Sequence, residues 1–250
     1  MDLNAPFCQF QKKDGSFLAY HHHKIDQNSP CVVFLGGYRS DMTGTKASYL
    51  ASLASQNKFS FLRFDYRGHG QSSGNFDELG IGDWLDDSLS IITALIHTPI
   101  ILVGSSMGGW IGLLLTKLLQ DRVKAFIGVA AAPDFTNWVW NHEMKPETKT
   151  LCQTQGYIET PDGDRFSLKL FEDGAQHLVL DKPLVLDCHV TLLHGKCDDV
   201  VPFTLAQKLA EHIESPQTPN LILIEDGDHR LARDEDLDIL KQQVLKYSVL

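Results

Sequence analysis

Apolar residues fall into short continuous runs, and between the runs they recur every three or four positions, so two patterns alternate along most of the chain. Runs rich in Val, Ile, Leu and Phe at residues 32–35, 59–64, 100–103, 124–130, 190–194 and 220–225 read as buried, mostly parallel strands. Residues 43–56, 81–96, 107–119, 203–213 and 234–247 carry the helical period instead. Strands and helices in alternation predict an α/β fold, a mostly parallel sheet with helices on both faces. The chain opens differently. Residues 7–13 and 16–22 flank Asp14-Gly15, a turn-forming pair, which predicts an antiparallel hairpin at one edge of the sheet.

One gap breaks the rhythm. About fifty-five residues separate Pro133 from Asp187, more than a connection between neighbouring elements needs, so a cap at about 133–187 is expected within a single domain of residues 1–250. This stretch carries Phe135, Trp138, Trp140, Tyr157 and Phe171, and its Pro161-Asp162-Gly163 suits the tip of a second hairpin.

The strongest chemical signal lies where the run 100–103 passes into Gly104-Ser105-Ser106-Met107-Gly108 and then into a helix. Strand, G-x-S-x-G and helix together make a nucleophile elbow, in which side chains two residues before and two after the serine would collide with the turn. That spacing selects Ser106, because Ser105 would have Val103 and Met107 in those places. A serine hydroxyl needs a base at neutral pH, and the base needs an orienting acid. Asp198 and Asp199 follow the strand at 190–194, and His229 follows the last strand, which gives the order nucleophile, acid, histidine. An oxyanion would take one donor from the Met107 N–H and another from the Gly36-Gly37-Tyr38 loop, where Tyr38 presents its N–H. His212 lies within a helix, and His194 precedes Gly195 at a strand end where a turn role suffices. His21, His22 and His23 alternate faces along an edge strand, which argues against a shared metal.

Composition then removes several function classes. Against 22 Lys and Arg stand 32 Asp and Glu, and the net charge of -10 repels phosphate backbones, so no nucleic-acid partner is expected. A hydrophobic content of 43% with 22% charged residues describes a folded globular chain. There is no apolar run of about eighteen residues to span a membrane, and the first residues resemble neither a secretory nor a transit peptide. A reducing cytoplasm is the expected location, since the five cysteines are scattered without a C-x-x-C pair; they suggest neither disulfides nor a metal site. No phosphate-binding or dinucleotide fingerprint is present, so no cofactor is expected. Nothing in the pattern speaks to oligomeric state.

Four segments, FLGGY from Phe34, FDYRGHGQS from Phe64, VGSSMGGW from Val103 and LLHGKCDDVVP from Leu192, resemble the alpha/beta-hydrolase superfamily, and the resemblance covers almost the whole chain. GYRSDMTGTKA from Gly37, IGVAAAPDF and the later DHR are further similar to the abhydrolase-domain protein ten group, which includes a mitochondrial palmitoyl-protein thioesterase also described as an acyl-glucuronide esterase. The resemblance implies a triad of Ser106, Asp198 and His229, with Asp198 matching the aspartate of an HG-x-x-D-x-x-VP pattern. It also implies that the turn holding His69 is structural. The missing targeting extension points to a bacterial relative, and Gly36 stands where many members have histidine. The expected activity is cleavage of a small acyl ester or thioester through an acyl-enzyme, with the acyl group against Phe135, Trp138 and Trp140. A peptidase, a carbon-carbon hydrolase and a non-catalytic ligand-binding member of the same fold stay open as alternatives.

Overall fold

The computed structural model describes residues 6–25, 29–160, 163 and 165–248. The chain starts with β1 (Cys8–Gln11) and β2 (Phe17–His23), then alternates through β3 (Cys31–Leu35), α1 (Thr45–Asn57), β4 (Ser60–Phe64), α2 (Ile81–Leu95), β5 (Ile100–Ser105), α3 (Met107–Leu119) and β6 (Val123–Val129). A separate group follows: α4 (Phe135–Trp138), α5 (Pro146–Gln155), β7 (Tyr157–Glu159), β8 (Arg165–Ser167), α6 (Leu168–Gly174) and β9 (Leu184–Val185). Alternation resumes with β10 (His189–Gly195), α7 (Phe203–His212), β11 (Ile213–Glu214), β12 (Asn220–Ile224) and α8 (Asp234–Ser248).

Eight strands share one sheet in the order β1-β2-β4-β3-β5-β6-β10-β12. β2 pairs antiparallel with both β1 and β4, and the remaining pairings are parallel. The opening turn forms as its sequence dictates: Gly15 takes φ 86°, and the Asp14 carboxylate accepts the Ser16 N–H at 2.9 Å.

Strand periodicity divides the core between two faces. Val33, Leu35, Ile100, Leu102 and Phe126 pack against α2 and α3, whereas Val32, Phe34, Ile101, Val103 and Ile127 pack against α1 and α8. Both faces are thus buried, which is why these strands read as unbroken apolar runs.

Most boundaries lie within a residue or two of the sequence reading, and two of the shifts have a visible cause. α1 begins at Thr45 because the Asp41 carboxylate accepts the Thr43 N–H at 2.7 Å and holds a turn there. α7 stops at His212 because Ile213 and Glu214 are extended and pair with Leu184 and Val185. Of the second expected turn, Pro161 and Asp162 lie outside the described residues; the strands on either side pair antiparallel, with Ile158 opposite Phe166.

The group between β6 and β10 has its own small core of Cys152, Ile158 and Phe171, and its two ends are tied together. Asp134, just after β6, accepts N–H bonds from Val179 and Leu180, each at 2.9 Å.

The turn after β4 buries His69, which is 3% exposed. Its Nδ1 lies 3.3 Å from the Arg67 carbonyl and so carries the proton, while Nε2 has no partner among the rings of Tyr66, Phe76 and Trp84. Burial pushes this imidazole down to about 4 from 6.5. The unfolded chain therefore takes up a proton between those two values that the folded chain refuses. Stability should fall as pH drops through the window, by up to about 3 kcal/mol. His69→Phe is expected to flatten the loss of melting temperature between pH 6.5 and pH 4; an unchanged slope would assign that loss to another group.

Candidate active site

Loops at the carboxyl ends of β3, β5, β10 and β12 converge, and Ser106 stands at their centre. It occupies φ 54°, ψ −118°, a left-handed conformation costly to a residue with a Cβ, between the end of β5 and the start of α3. Backbone bonds hold it there: its N–H donates to the Val129 carbonyl at 2.9 Å, and its own carbonyl accepts from Gly109 at 2.8 Å and Ala132 at 3.1 Å. The flanking glycines are sterically required. A Cβ at Gly104 would lie 2.3 Å from the Gly108 carbonyl oxygen, and one at Gly108 would lie 2.2 Å from that of Leu35.

His229 lies in the loop after β12. Its Nε2 is 3.1 Å from Ser106 Oγ and its Nδ1 is 2.8 Å from Asp198 Oδ2. The loop is held from both sides. Asp228 accepts the Leu231 N–H at 2.9 Å, Arg233 bridges Asp226 and Asp236, and the half-buried Lys46 ammonium of α1 donates to the Arg230 carbonyl. Burial lowers Lys46 to about 8, opposed by the carboxylates of Asp228 and Asp236.

The Asp198 side chain is fully buried, and each oxygen is engaged. Oδ1 accepts the N–H groups of Val200 at 2.9 Å and Val201 at 2.7 Å; Oδ2 faces His229 and also His194 Nε2 at 3.1 Å. Burial alone would raise this carboxyl, but the bonds from His194, His229 and Val201 outweigh it and hold it well below the usual carboxylate range. Asp198 is therefore ionised throughout the working pH range. Asp199 is exposed and lines the cavity.

Met107 is the first residue of α3, so its N–H has no helical carbonyl to reach, and it lies beside Ser106 at the positive end of the helix. Gly37 brings the other loop close: a Cβ there would sit 3.4 Å from Ser106 Cβ. Tyr38 follows, and its hydroxyl donates to the Arg165 carbonyl at 2.7 Å. Its ring packs edge-on against Phe76, Phe166 and Phe135, with centroids 4.9, 5.2 and 6.1 Å away.

Ser106, Met107, Tyr38 and His229 open onto a cavity of about 1720 Å³. Phe135 and Trp138 line it, as the sequence suggested, together with Phe166, Leu178 and Leu180, which the sequence reading did not single out. Trp138 is 40% exposed. Trp140 corrects the expectation, because it is absent from the cavity wall. Its ring lies 5.0 Å from Phe171 inside the small core between β6 and β10, with the Lys149 ammonium over its face. Two residues along a helical turn rotate a side chain to nearly the opposite side, so Trp138 and Trp140 could not share one surface. Tyr157 and Phe171 also lie away from the cavity, Tyr157 under the Arg165 guanidinium at 4.0 Å. Among the described residues no group of three or more His, Cys, Asp or Glu side chains is arranged to hold a metal ion.

Comparison with known proteins places this geometry among relatives. A profile of the alpha/beta hydrolase family matches residues 32–240. The chain is 34% identical over 229 residues to the bovine protein named palmitoyl-protein thioesterase ABHD10, mitochondrial, covering 89% of this chain and 74% of that protein. Among solved structures, alpha/beta hydrolase domain-containing protein 10 from mouse superposes with a TM-score of 0.89 at 32% identity, over 97% of this chain and 98% of the other. A chain from Agrobacterium vitis S4 superposes with a TM-score of 0.91 at 34% identity, over 98% and 100%. The mammalian relatives are named mitochondrial, and no helix among the described residues is long and apolar enough to cross a membrane.

Proposed function

The chain belongs to the alpha/beta hydrolase family, and on that premise we propose that it is a serine hydrolase of carboxylic esters or thioesters, working through an acyl-enzyme on Ser106. The observation that carries the proposal is the series of hydrogen bonds from Ser106 Oγ to His229 Nε2 and from His229 Nδ1 to Asp198. His229 Nδ1 faces a carboxylate that can only accept, so Nδ1 carries the proton and Nε2 presents its lone pair to the serine. As Oγ attacks the acyl carbon, Nε2 takes the hydroxyl proton, and Asp198 stabilises the imidazolium that results. The tetrahedral oxygen takes the N–H groups of Met107 and Tyr38. Collapse expels the thiolate or alkoxide, which receives the proton from His229; water then repeats the sequence and frees the acid. The thioesterase name of the mammalian relatives supports the ester and thioester class.

The test is covalent labelling. A fluorophosphonate should modify Ser106 alone, as read by peptide mass, and a panel of acyl esters, acyl thioesters and aminoacyl amides should then separate this activity from that of a peptidase. Labelling elsewhere, or amides as the preferred substrates, would overturn the proposal.

The acyl group lies along Phe135, Trp138 and Phe166, in a cavity larger than the ~300–1,000 Å³ usual for ligand sites. With a wall of this character, kcat/KM should rise with acyl length by up to about fourfold per methylene, since each buried methylene contributes ~0.8 kcal/mol. Phe135→Ala and Trp138→Ala are expected to shallow that slope. A flat profile from acetyl to decanoyl esters, the same in both variants, would remove the acyl pocket and leave the serine chemistry standing.

A further inference from the structure

We infer that His194 is a positioning residue for the hydrolytic reaction, a second histidine whose Nε2–H stands against the proposed triad carboxylate and sets how strongly it acts on His229. The inference rests on the serine-hydrolase proposal.

His194 closes β10 and is 1% exposed. Its Nε2 lies 2.9 Å from the Val201 carbonyl oxygen and 3.1 Å from Asp198 Oδ2. A carbonyl can only accept, so Nε2 carries a proton; that N–H is directed at the Val201 carbonyl, and Asp198 Oδ2 lies beside the same nitrogen in close charge–dipole contact. His229 Nδ1 reaches the same Oδ2 at 2.8 Å. One carboxylate oxygen therefore serves two imidazoles, while the other is filled by the N–H groups of Val200 and Val201.

This arrangement does more than brace a loop. A buried carboxylate with an empty lone-pair site would be costly, and its oxygen could rotate away from His229. The His194 N–H lies 3.1 Å from that oxygen and holds Oδ2 on the line to His229. It also draws charge from the oxygen that His229 depends on, so the carboxylate stabilises the imidazolium less than a singly engaged one would. Removing the donor should therefore make His229 more basic and less well aligned at once. A brace that only tied Val201 to the strand end would do neither.

The other titratable and charged groups that line the same cavity are Asp41 before α1 and Lys46 on it, Cys197 and Asp199 after β10, Asp228 and Arg230 in the histidine's own loop, His142, Glu143 and Asp181, and Lys208 on α7. None of these side chains is hydrogen-bonded to His194. A difference between variants at position 194 thus isolates the shared oxygen.

The experiment compares pH profiles of His194→Phe and His194→Gln with that of the unaltered protein, using the ester that the substrate panel shows to be cleaved. Phenylalanine fills the space without a donor; glutamine offers two amide protons to the same acceptors. In His194→Phe, kcat should fall about tenfold with KM little changed, and the acid limb of kcat/KM should move to higher pH by about half a unit or more. His194→Gln should restore the limb. Loss of activity with an unmoved limb would reduce His194 to a loop brace and overturn the inference, as would an unchanged kcat. Should the phenylalanine variant fail to fold, ¹⁵N spectra of the unaltered protein decide: His194 must carry a proton on Nε2, as the Val201 carbonyl requires, and a His194 protonated on Nδ1 alone would overturn it. Turnover surviving Ser106→Ala would instead end the serine-hydrolase reading, which separates the two failures.

Discussion

Ser106→Ala is expected to fold normally and to lose hydrolysis by roughly 10⁵–10⁶-fold, the scale seen when a covalent nucleophile is removed from a working triad. The fold should survive because the strain of φ 54° is already borne by serine and is held by backbone bonds to Val129, Gly109 and Ala132 that alanine keeps. The cavity, His229 and Asp198 stay in place, so an ester should still bind with nearly the same affinity while no acyl-enzyme forms. Fluorophosphonate labelling should vanish with the activity. Ser105→Ala supplies the control: that side chain is buried at the end of β5, no hydrogen bond links it to His229, and turnover should persist within a few-fold. Retained hydrolysis in Ser106→Ala, measured on an ester cleaved by the unaltered protein, would exclude the serine as nucleophile.

That Ser106 could be chosen over its neighbour from sequence alone has a steric cause. Gly104 and Gly108 are fixed by backbone approaches too close for any Cβ, so the motif states a geometry. The sheet was legible for a related reason: strands covered on both faces must be apolar at nearly every position, and β3, β5 up to its turn and β6 apart from the exposed Lys124 are. The group between β6 and β10 was less so. Its helices are as short as Phe135–Trp138, and its strands are only two or three residues long. Elements of that size are held by contacts across the structure and leave little periodicity to read. Which aromatic faced the cavity was hidden for the same reason. Trp138 and Trp140 are equally apolar, and only the docking of this group against the sheet sends one to the cavity and the other into a local core. His194 was hidden differently. A histidine before glycine at a strand end reads as part of a turn, and its bond to the Val201 carbonyl and contact with Asp198 need the loop of residues 195–202 to fold back beneath it.

The choice between Asp198 and Asp199 is where sequence and structure bear on each other most sharply, and Asp198→Asn is expected to lower kcat by about 10⁴-fold. The carboxylate accepts three hydrogen bonds, two from Val200 and Val201 on one oxygen and one from His229 on the other, and His194 Nε2 lies 3.1 Å from that second oxygen. An amide cannot accept on both sides. If its oxygen stays with the two backbone N–H groups, its NH₂ faces His229 Nδ1, which must then give up its proton and become the acceptor. The proton moves to Nε2, the atom that should receive the Ser106 proton, and the base is lost without any movement of the ring. His194 adds a second conflict, because its Nε2 must keep a proton for the Val201 carbonyl and so opposes the same NH₂. Turning the amide over relieves both histidines but sets its NH₂ against two backbone donors. Every orientation leaves a buried group unpaired, so a drop in melting temperature should accompany the loss of rate. Asp199→Asn changes only an exposed side chain at the cavity wall and should leave kcat within a few-fold. Purified variants assayed side by side decide the matter: activity kept in Asp198→Asn and lost in Asp199→Asn would move the acid by one residue and, with it, require the loop after β10 to rotate its neighbouring side chain into the buried position that Asp198 now fills.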